Sequence, residues 1–357
     1  TASYDNTVED LTYSAGETYY AVRVYGITEP EKVYFYRTED DFCVGEWTSE
    51  DERGYLKTIG FLDDTQFVFV HTRDGITFYD VETGETEQFN IDLDMVSPEC
   101  HWNGYMALLY DMRQYYVVDL RQRKLLYCGE TGGYIRSGVI SKDGSRLYCS
   151  LDNSGICAVD TSSGNAEVIG TESYQLIQGG EDHSTLALSS DGRLLAAACV
   201  DGNLRVLDVE KRETVATIPF ASAYHRFIRF TEDGNSVMLQ GDDYYFRVYD
   251  LQKQYFSHIA PVQYDAIQRV DIDGESNTIS LVTLSNMIIL EEESYERMAQ
   301  AEKGVAYLPG RGVVFCRSYS SLCRFPYMTL DMLLEEERAQ FGDAQLTELE
   351  RTQYNVD

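Results

Sequence analysis

The feature that most constrains the fold is a unit of about forty residues that recurs along the chain. In each unit an alternating or apolar run ends in an acidic residue and is followed by a polar turn, as in NLRVLDVEKRE and GITFYDVETGE. Successive acidic residues are 39, 41, 48, 42 and 41 positions apart. They are Asp80, Asp119, Asp160, Asp208, Asp250 and Glu291. A fixed period near 40 residues is typical of architectures that repeat a four-stranded unit around an axis.

A second series of turns divides each unit further. Asp-Gly pairs, which suit tight hairpins because Gly accepts a positive φ, precede β-rich runs at residues 143, 191, 233 and 273. Each unit therefore reads as four antiparallel strands. We count eight units: the first covers residues 11–48, the seventh residues 262–302, and the eighth begins at Gly304. The sequence predicts an all-β, closed β-propeller with eight blades, and seven blades plus an irregular segment is the alternative.

The two ends of the chain complete this organisation. The eighth unit lacks an outermost strand, and we expect residues 6–9 to supply it so that no sheet edge stays open. Residues 1–328 are the predicted propeller. Residues 329–357 are predicted to form a short helical tail that packs on it, because Leu330, Leu333 and Leu334 follow helical spacing. Thr347 and Glu350 form a capping box at the start of a second helix.

Charge and cysteine usage restrict the partners and the compartment. The chain carries 29 Lys and Arg against 60 Asp and Glu, a formal net charge of −31. Such a surface repels phosphate backbones and anionic membranes, so we expect neither nucleic acid nor a membrane as partner. The eight cysteines form no C-x-x-C pair, and most lie in apolar runs, which favours buried thiols in a reducing cytoplasm. The first residue is Thr1 rather than Met, and we expect the chain to be part of a longer protein.

The stretch SSDGRLLAAACVDGNLRVLDV resembles a blade of the WD-repeat β-propellers. SSDG stands where that family has Ser-Pro-Asp-Gly, and VDGNLRVLD where it has Asp-Asp-Gly-Thr-Val-Arg-Leu-Trp-Asp. The resemblance implies that Asp201 is the structural Asp of a turn and that Asp208 is the Asp of the Trp-Asp pair. Leu207 replaces the Trp, and the Gly-His dipeptide that precedes a family blade is missing. The fold hosts scaffolds, sensors and some enzymes, so the resemblance alone does not assign a function.

The closing segment carries a second resemblance. Its pattern Leu-Thr-x-x-Glu-Arg-x-x-Tyr, at residues 346–354, is similar to the end of degenerate bacterial propellers that form the C-terminal domain of longer chains. In those chains the N-terminal partner is often a STAND-type signalling NTPase, a Toll/interleukin-1 receptor-like (TIR) domain or a kinase. The resemblance implies that this chain is the sensor part of a bacterial signalling or defence protein with an N-terminal effector domain.

Catalytic and metal-binding motifs do not support an enzyme. The chain has no G-x-S-x-G elbow, phosphate-binding loop or H-E-x-x-H motif. The five histidines form no H-x-H pair, and DIDGESN from Asp271 lacks the Glu that a calcium loop needs at its twelfth position. The sequence predicts a non-catalytic protein-interaction or ligand-sensing domain without cofactor or metal. A propeller hydrolase or lactonase with a channel site and a purely structural scaffold are the alternatives.

A protein or peptide is the predicted partner, and the segments that join one unit to the next are the predicted binding face. They include CHWNGY, GETGGYIR, ASAYHRF and PVQYDAI, which are rich in aromatic residues and Arg, the residues enriched at interaction hot spots. The alternative is that several of these side chains only pack against neighbouring blades. YHR at residues 224–226 is the most prominent cluster. The candidates are His101, Trp102, Tyr134, Arg136, Tyr224, His225, Arg226 and Tyr264.

Overall fold

The chain is a β-propeller with eight blades, which confirms the predicted fold over the seven-bladed alternative. A computed structural model describes residues 2–25, 30–49, 56–71, 75–91, 99–151, 155–170, 185–199, 201–219, 225–262, 265–274 and 276–327. Of residues 56–59, 71, 225 and 226 only the backbone is described. These ranges contain eight four-stranded antiparallel sheets and a 3-10 turn at Pro309–Arg311. The helical tail predicted at residues 329–357 lies outside them.

Each blade is a meander of four strands, which we call A to D from the axis outward. The A strands of successive blades contact one another and surround the central channel. Blades 1 and 2 comprise β2 (Thr7–Tyr13), β3 (Tyr19–Tyr25), β4 (Lys32–Arg37), β5 (Phe42–Thr48), β6 (Leu56–Phe61), β7 (Gln66–His71), β8 (Gly75–Asp80) and β9 (Thr86–Phe89). Blades 3 and 4 comprise β10 (Glu99–Asn103), β11 (Met106–Asp111), β12 (Gln114–Asp119), β13 (Lys124–Glu130), β14 (Ile135–Ile140), β15 (Arg146–Leu151), β16 (Gly155–Asp160) and β17 (Ala166–Val168).

The second half of the ring repeats this order. Blades 5 and 6 comprise β18 (Leu186–Leu188), β19 (Leu194–Ala198), β20 (Asn203–Asp208), β21 (Glu213–Pro219), β22 (His225–Phe230), β23 (Ser236–Gly241), β24 (Tyr245–Asp250) and β25 (Tyr255–Pro261). Blades 7 and 8 comprise β26 (Ile267–Asp273), β27 (Thr278–Thr283), β28 (Asn286–Glu291), β29 (Arg297–Glu302), β30 (Gly304–Leu308), β31 (Val313–Ser318), β32 (Ser321–Pro326) and, as strand D of blade 8, β1 (Ala2–Ser3).

The core lies between the blades. Strands B and C are covered on both faces by neighbouring blades, so they are runs of apolar residues rather than strict alternations; β19, with sequence LLAAA, is buried throughout. Between blades 4 and 5, for example, Val139 and Ile156 of one blade pack with Leu195 and Leu207 of the next. Leu207 thus packs in the core at the position where the WD-repeat pattern has Trp.

The turns give the propeller two different faces. The AB and CD turns lie at one end of the strands, which we call the second face, and the BC turns and the D-to-A connections lie at the other end, the first face. The acidic residues of the forty-residue series, among them Asp80, Asp119, Asp160, Asp208 and Asp250, end the C strands on the second face.

A shared hydrogen bond explains why these five C strands end in Asp. In each CD turn the Asp Oδ1 accepts the N–H of the residue three positions later, at 2.8–3.0 Å. The residue four positions after the Asp has a left-handed φ, and Gly fills this position in two turns. The carboxylate therefore caps the turn in the way that Asp caps a helix N-terminus.

The ring is closed by the N-terminus, but not by the segment that the sequence indicates. Ala2–Ser3 pairs antiparallel with β32 and completes blade 8. The prediction of residues 6–9 was wrong, because residues from Thr7 onward belong to the innermost strand of blade 1. A bulge between Val8 and Asp10 puts Val8 and Leu11 into the same core cluster although they are three residues apart. This bulge breaks the period of two that identifies a strand in the sequence.

Arginine side chains reinforce the closure of the ring. Arg269 of blade 7 donates to the carbonyl oxygens of Val305 in blade 8, at 2.7 Å, and Leu11 in blade 1, at 2.9 Å. Arg324 of blade 8 donates to the carbonyl oxygen of Thr38 in blade 1, at 3.0 Å. These bonds connect the blades at which the two ends of the described chain meet.

Candidate functional site

The first face exposes large apolar side chains at its BC turns. Met112, Leu284 and Tyr319 have exposed fractions of 60%, 60% and 78%. Tyr25 and Tyr245, which flank the BC turns of blades 1 and 6, are also exposed. Exposed apolar side chains are ordinary one at a time, but their recurrence at neighbouring turns is typical of an interaction surface. The second face also exposes some, among them Phe42 and Tyr255, but the most exposed, Tyr319, lies on the first face.

A compact group of these residues lies where blade 3 meets blade 4. We call Met112, Arg113, Tyr134 and Arg136 the first-face patch. All four side chains are exposed. The guanidinium of Arg113 lies over the Tyr134 ring, 4.9 Å from its centroid, in a cation–π contact. The patch combines an apolar side chain, an aromatic ring and two cations on a chain of net charge −31.

Backbone hydrogen bonds fix the two segments that carry the patch. The N–H and the hydroxyl of Thr131 donate to the carbonyl oxygen of Arg113, at 2.8 and 3.1 Å. The N–H of Ile135 donates to the carbonyl oxygen of Met112. The connection from blade 3 to blade 4 is therefore bound to the BC turn of blade 3, and these hydrogen bonds hold the backbone on both sides of the patch.

A β-bulge positions Arg136. Six A strands shift register by one residue against their B strands. A bulged residue has no partner across the ladder, so its side chain departs from the alternation of the strand. The side chains of Glu9, Arg136 and Gln268 are exposed, whereas that of Val305 packs in the core. The bulged residues are Glu9, Ile59, Arg136, Arg226, Gln268 and Val305.

Five of the predicted binding residues lie in strands instead of loops: Arg136 in β14, His225 and Arg226 in β22, and the pair His101 and Trp102 in β10. His101 and Trp102 belong to β10, and the turn begins only after Asn103. The His101 Nδ1 accepts the N–H of Ile140 in blade 4, at 3.4 Å, and burial lowers the pKa of His101 to about 4. Trp102 packs against the core between blades 2 and 3, and its indole N–H donates to the Gly104 carbonyl oxygen. Through these contacts His101 positions blade 3 against blade 4, and Trp102 positions blade 3 against blade 2.

The predicted binding residues other than His101 and Trp102 are distributed around the ring. Tyr134 and Arg136 lie together in the first-face patch, at the start of blade 4. His225 and Arg226 begin β22 of blade 6, where Arg226 occupies the bulge, and their side chains lie outside the described part. Tyr224 and Tyr264 lie outside the described residues altogether. The described structure therefore brings together two of the eight candidates.

One recurring pair on the first face escaped the sequence analysis. In the BC turn of blade 5, Asp201 accepts a hydrogen bond from the Arg205 guanidinium at 3.0 Å. This hydrogen bond is the main reason why the pKa of Asp201 is lowered to about 2. Asp243 and Arg247 repeat the pair in blade 6, at 2.9 Å. The spacing Asp-x-x-x-Arg, repeated after 42 residues, is the signal that could have identified it.

Metal and membrane sites find no support in the described ranges. No group of three or more His, Cys, Asp or Glu side chains there is close enough to hold a metal ion. No helix in the same ranges has the length and apolar character needed to cross a bilayer. All eight cysteines are free thiols.

Comparisons with known proteins identify the fold alone. No protein-family model and no curated protein matches the sequence. Among solved structures, the computationally designed Ika8 protein is similar with a TM-score of 0.65 and 10% identity, over 91% of this chain and 98% of Ika8. The β-propeller domain of Myceliophteria thermophila Cps50 (Swd1) is similar with a TM-score of 0.50 and 13% identity, over 92% of this chain and 94% of that domain.

Proposed function

We propose that this propeller is a non-catalytic protein-interaction domain and that the first-face patch is its binding surface. The observation that carries the proposal is the exposure of Met112 and Tyr134 beside two arginines on a backbone held by hydrogen bonds. Aromatic residues, Met and Arg are enriched at interfaces, and a surface that is already ordered loses little conformational entropy on binding. The partner that fits is a protein or peptide with an apolar anchor and carboxylates for Arg113 and Arg136.

The wider setting of this domain is part of the same proposal. The resemblance of blade 5 to a WD repeat and of the closing segment to bacterial propellers supports a sensor domain in a larger cytoplasmic signalling or defence protein. An N-terminal NTPase, TIR or kinase domain would then receive the signal. Eight free thiols favour a reducing compartment. The acidic surface disfavours nucleic acid as the recognised partner.

Affinity capture with two matched variants tests this function. Tyr134→Ala removes the ring from the patch. Tyr105→Ala is the control, because Tyr105 lies on the second face, is exposed to a similar extent (40% against 44%) and also contacts an arginine, at 5.2 Å from Arg121. Proteins of the source cell captured on immobilised wild type and both variants would be quantified by mass spectrometry.

We expect one partner to be retained by wild type and by Tyr105→Ala, and to be lost or strongly reduced with Tyr134→Ala. Removing an aromatic hot spot costs about 2 kcal/mol or more of binding free energy, which is about thirtyfold in affinity. A partner that binds all three proteins equally would show that the patch is not the binding surface. Loss with Tyr105→Ala alone would assign the function to the second face.

A further inference from the structure

A cavity opens at the second-face mouth of the channel, on the opposite side of the molecule from the first-face patch. Its volume is about 590 Å³. It lies where blades 7, 8 and 1 meet, between the end of β26, the 3-10 turn of blade 8 and the AB turn of blade 1. Its walls include Tyr13, Glu17, Ile272, Asp273, Pro309 and Arg311.

Glu17 is the unusual group in this wall. Its exposed fraction is 9%, so it is a nearly buried carboxylate. Oε1 accepts the N–H of Gly310 at 3.1 Å, whereas Oε2 accepts no hydrogen bond of ordinary geometry from a described residue, although the Arg311 N–H is near enough to favour the charged carboxylate. Burial, the largest contribution, raises the pKa of this carboxyl. A buried carboxylate oxygen that lacks a donor is unfavourable, and a ligand that donates to it recovers that loss.

The remaining wall residues define the chemistry of that ligand. Glu17 and Asp273 supply two carboxylates against the single guanidinium of Arg311, so the cavity carries net negative charge. Tyr13 contributes an aromatic ring that attracts a cation. Ile272 and Pro309 supply apolar surface that suits an alkyl chain. A metal ion fits less well, because no three metal-ligating side chains converge within the described ranges.

We propose that this cavity binds an alkylammonium group, with its N–H donors directed at Glu17 Oε2 and Asp273 and its alkyl chain against Ile272 and Pro309. An ammonium carries three donors and no acceptor, which matches a wall of carboxylates and a phenol. The overall charge of −31 would attract such a cation toward the channel from a distance. The ammonium has two natural sources, a free polyamine or the lysine side chain of a protein.

Calorimetric titration of the full chain distinguishes these sources and tests the site. The probes are spermidine and the blocked peptide acetyl-Gly-Ser-Lys-Lys-Ser-Gly-amide, and the same peptide with both lysines acetylated is the reference ligand. The variant Glu17→Gln removes the charge but keeps an oxygen that can accept the Gly310 N–H. Glu39→Gln is its matched control, since Glu39 is an exposed carboxylate in the CD turn of blade 1 on the same face.

We expect spermidine or the lysine peptide to bind wild type and Glu39→Gln with dissociation constants within about twofold of each other, and Glu17→Gln about tenfold or more weakly. Tighter binding of spermidine would identify a polyamine site, and tighter binding of the peptide a lysine site. The acetylated peptide should bind neither protein. If Glu17→Gln unfolds, Asp273→Asn replaces it with the same expectation.

The proposal would be overturned if neither probe binds wild type at concentrations up to about 1 mM. It would also be overturned if Glu17→Gln and Glu39→Gln weaken binding equally, because the interaction would then depend on the overall charge alone. Neither result bears on the first-face patch, since the cavity and the patch lie on opposite faces and the experiments use different ligands.

Discussion

The same blades form the first face and the second face, but the side chains at the turns of the two faces differ in whether they hydrogen-bond to the backbone of their own turn. On the second face the recurring Asp residues accept hydrogen bonds from the backbone of their own turns, as Asp208 does from Lys211 at 3.0 Å. On the first face Met112 and Tyr319 extend from BC turns that are held by other groups. The recurring Asp residues of the second face are explained by folding, although Phe42, Tyr105 and Tyr255 are also exposed on that face. Among the described residues the most exposed large apolar side chain, Tyr319 at 78%, lies on the first face.

This difference distinguishes side chains that stabilise a turn from side chains that are available to bind a partner. A turn that needs its Asp should lose stability when the Asp is removed, and should not depend on a partner. A turn that merely presents a side chain should keep its stability and lose binding. Mutations on the two faces can therefore be ranked by their expected effect on the free energy of unfolding.

The largest loss in the free energy of unfolding is expected for Asp265, a nearly buried residue of the first face. Asp265 is 7% exposed and accepts from the Thr283 hydroxyl at 2.6 Å and from the N–H of Ser285 at 2.7 Å. Asp265→Ala removes a nearly buried carboxylate that accepts both bonds and also the N–H of Ala266, and should lower the free energy of unfolding by about 2–4 kcal/mol. Urea unfolding followed by circular dichroism measures this loss. A loss below about 1 kcal/mol would contradict the assigned role.

The same residue predicts a dependence on pH. Burial opposes ionisation of Asp265, but hydrogen bonds from Ser285 and Thr283 hold its pKa below the ordinary value. Its contribution to stability is therefore present above about pH 4, the pKa of an unfolded Asp, and is lost as the pH falls below that value. Between pH 5 and pH 3, wild type should lose more stability than Asp265→Asn, which has no proton to gain. Parallel losses in the two proteins would contradict this linkage.

A smaller loss is expected on the second face. Asp208 is 2% exposed and caps its CD turn through the Lys211 N–H. Asp208→Ala should cost about 1 kcal/mol, as loss of a helix N-cap does, while Asp208→Asn should cost less because the amide oxygen can still accept. Chemical unfolding of both variants checks the order. Equal stability of Asp208→Ala and wild type would show that the carboxylate is dispensable for the turn.

The smallest effect is expected in the first-face patch. Met112→Ser should change the free energy of unfolding by no more than about 0.5 kcal/mol, since the side chain is 60% exposed and the backbone around it is held by Thr131 and Ile135. The same denaturation experiment measures it. A loss comparable with that of Asp208→Ala would mean that Met112 is needed for folding, and the contrast between the faces would disappear.

The repeat predicted the architecture well because each kind of turn requires particular residues, Asp or Gly, at fixed positions. The acidic series identified six C strands, and the Asp-Gly pairs identified AB turns such as the one at Gly144, whose φ is +74°. The eight blades followed from these periodic signals. The closing strand did not, because a pair as short as Ala2–Ser3 has no pattern of its own and pairs only where the ring brings it to β32.

The candidate site was harder to predict because it depends on local register. CHWNGY was predicted to be a loop that joins one unit to the next, so His101 and Trp102 were expected in a loop, whereas pairing with β11 extends the strand as far as Asn103. Arg136 is exposed at a bulge, which a sequence does not reveal. The spatial contact between Arg113 and Tyr134 joins residues of different blades, and no periodic signal connects them.

The account depends most on the first face being the surface that a partner contacts. Site-specific incorporation of the photo-crosslinking residue p-benzoylphenylalanine in place of Tyr134, and separately in place of Tyr105, tests this directly in cells. The account predicts that irradiation links a partner to the protein labelled at position 134 and not to the protein labelled at position 105. Crosslinking from position 105 with none from position 134 would contradict it.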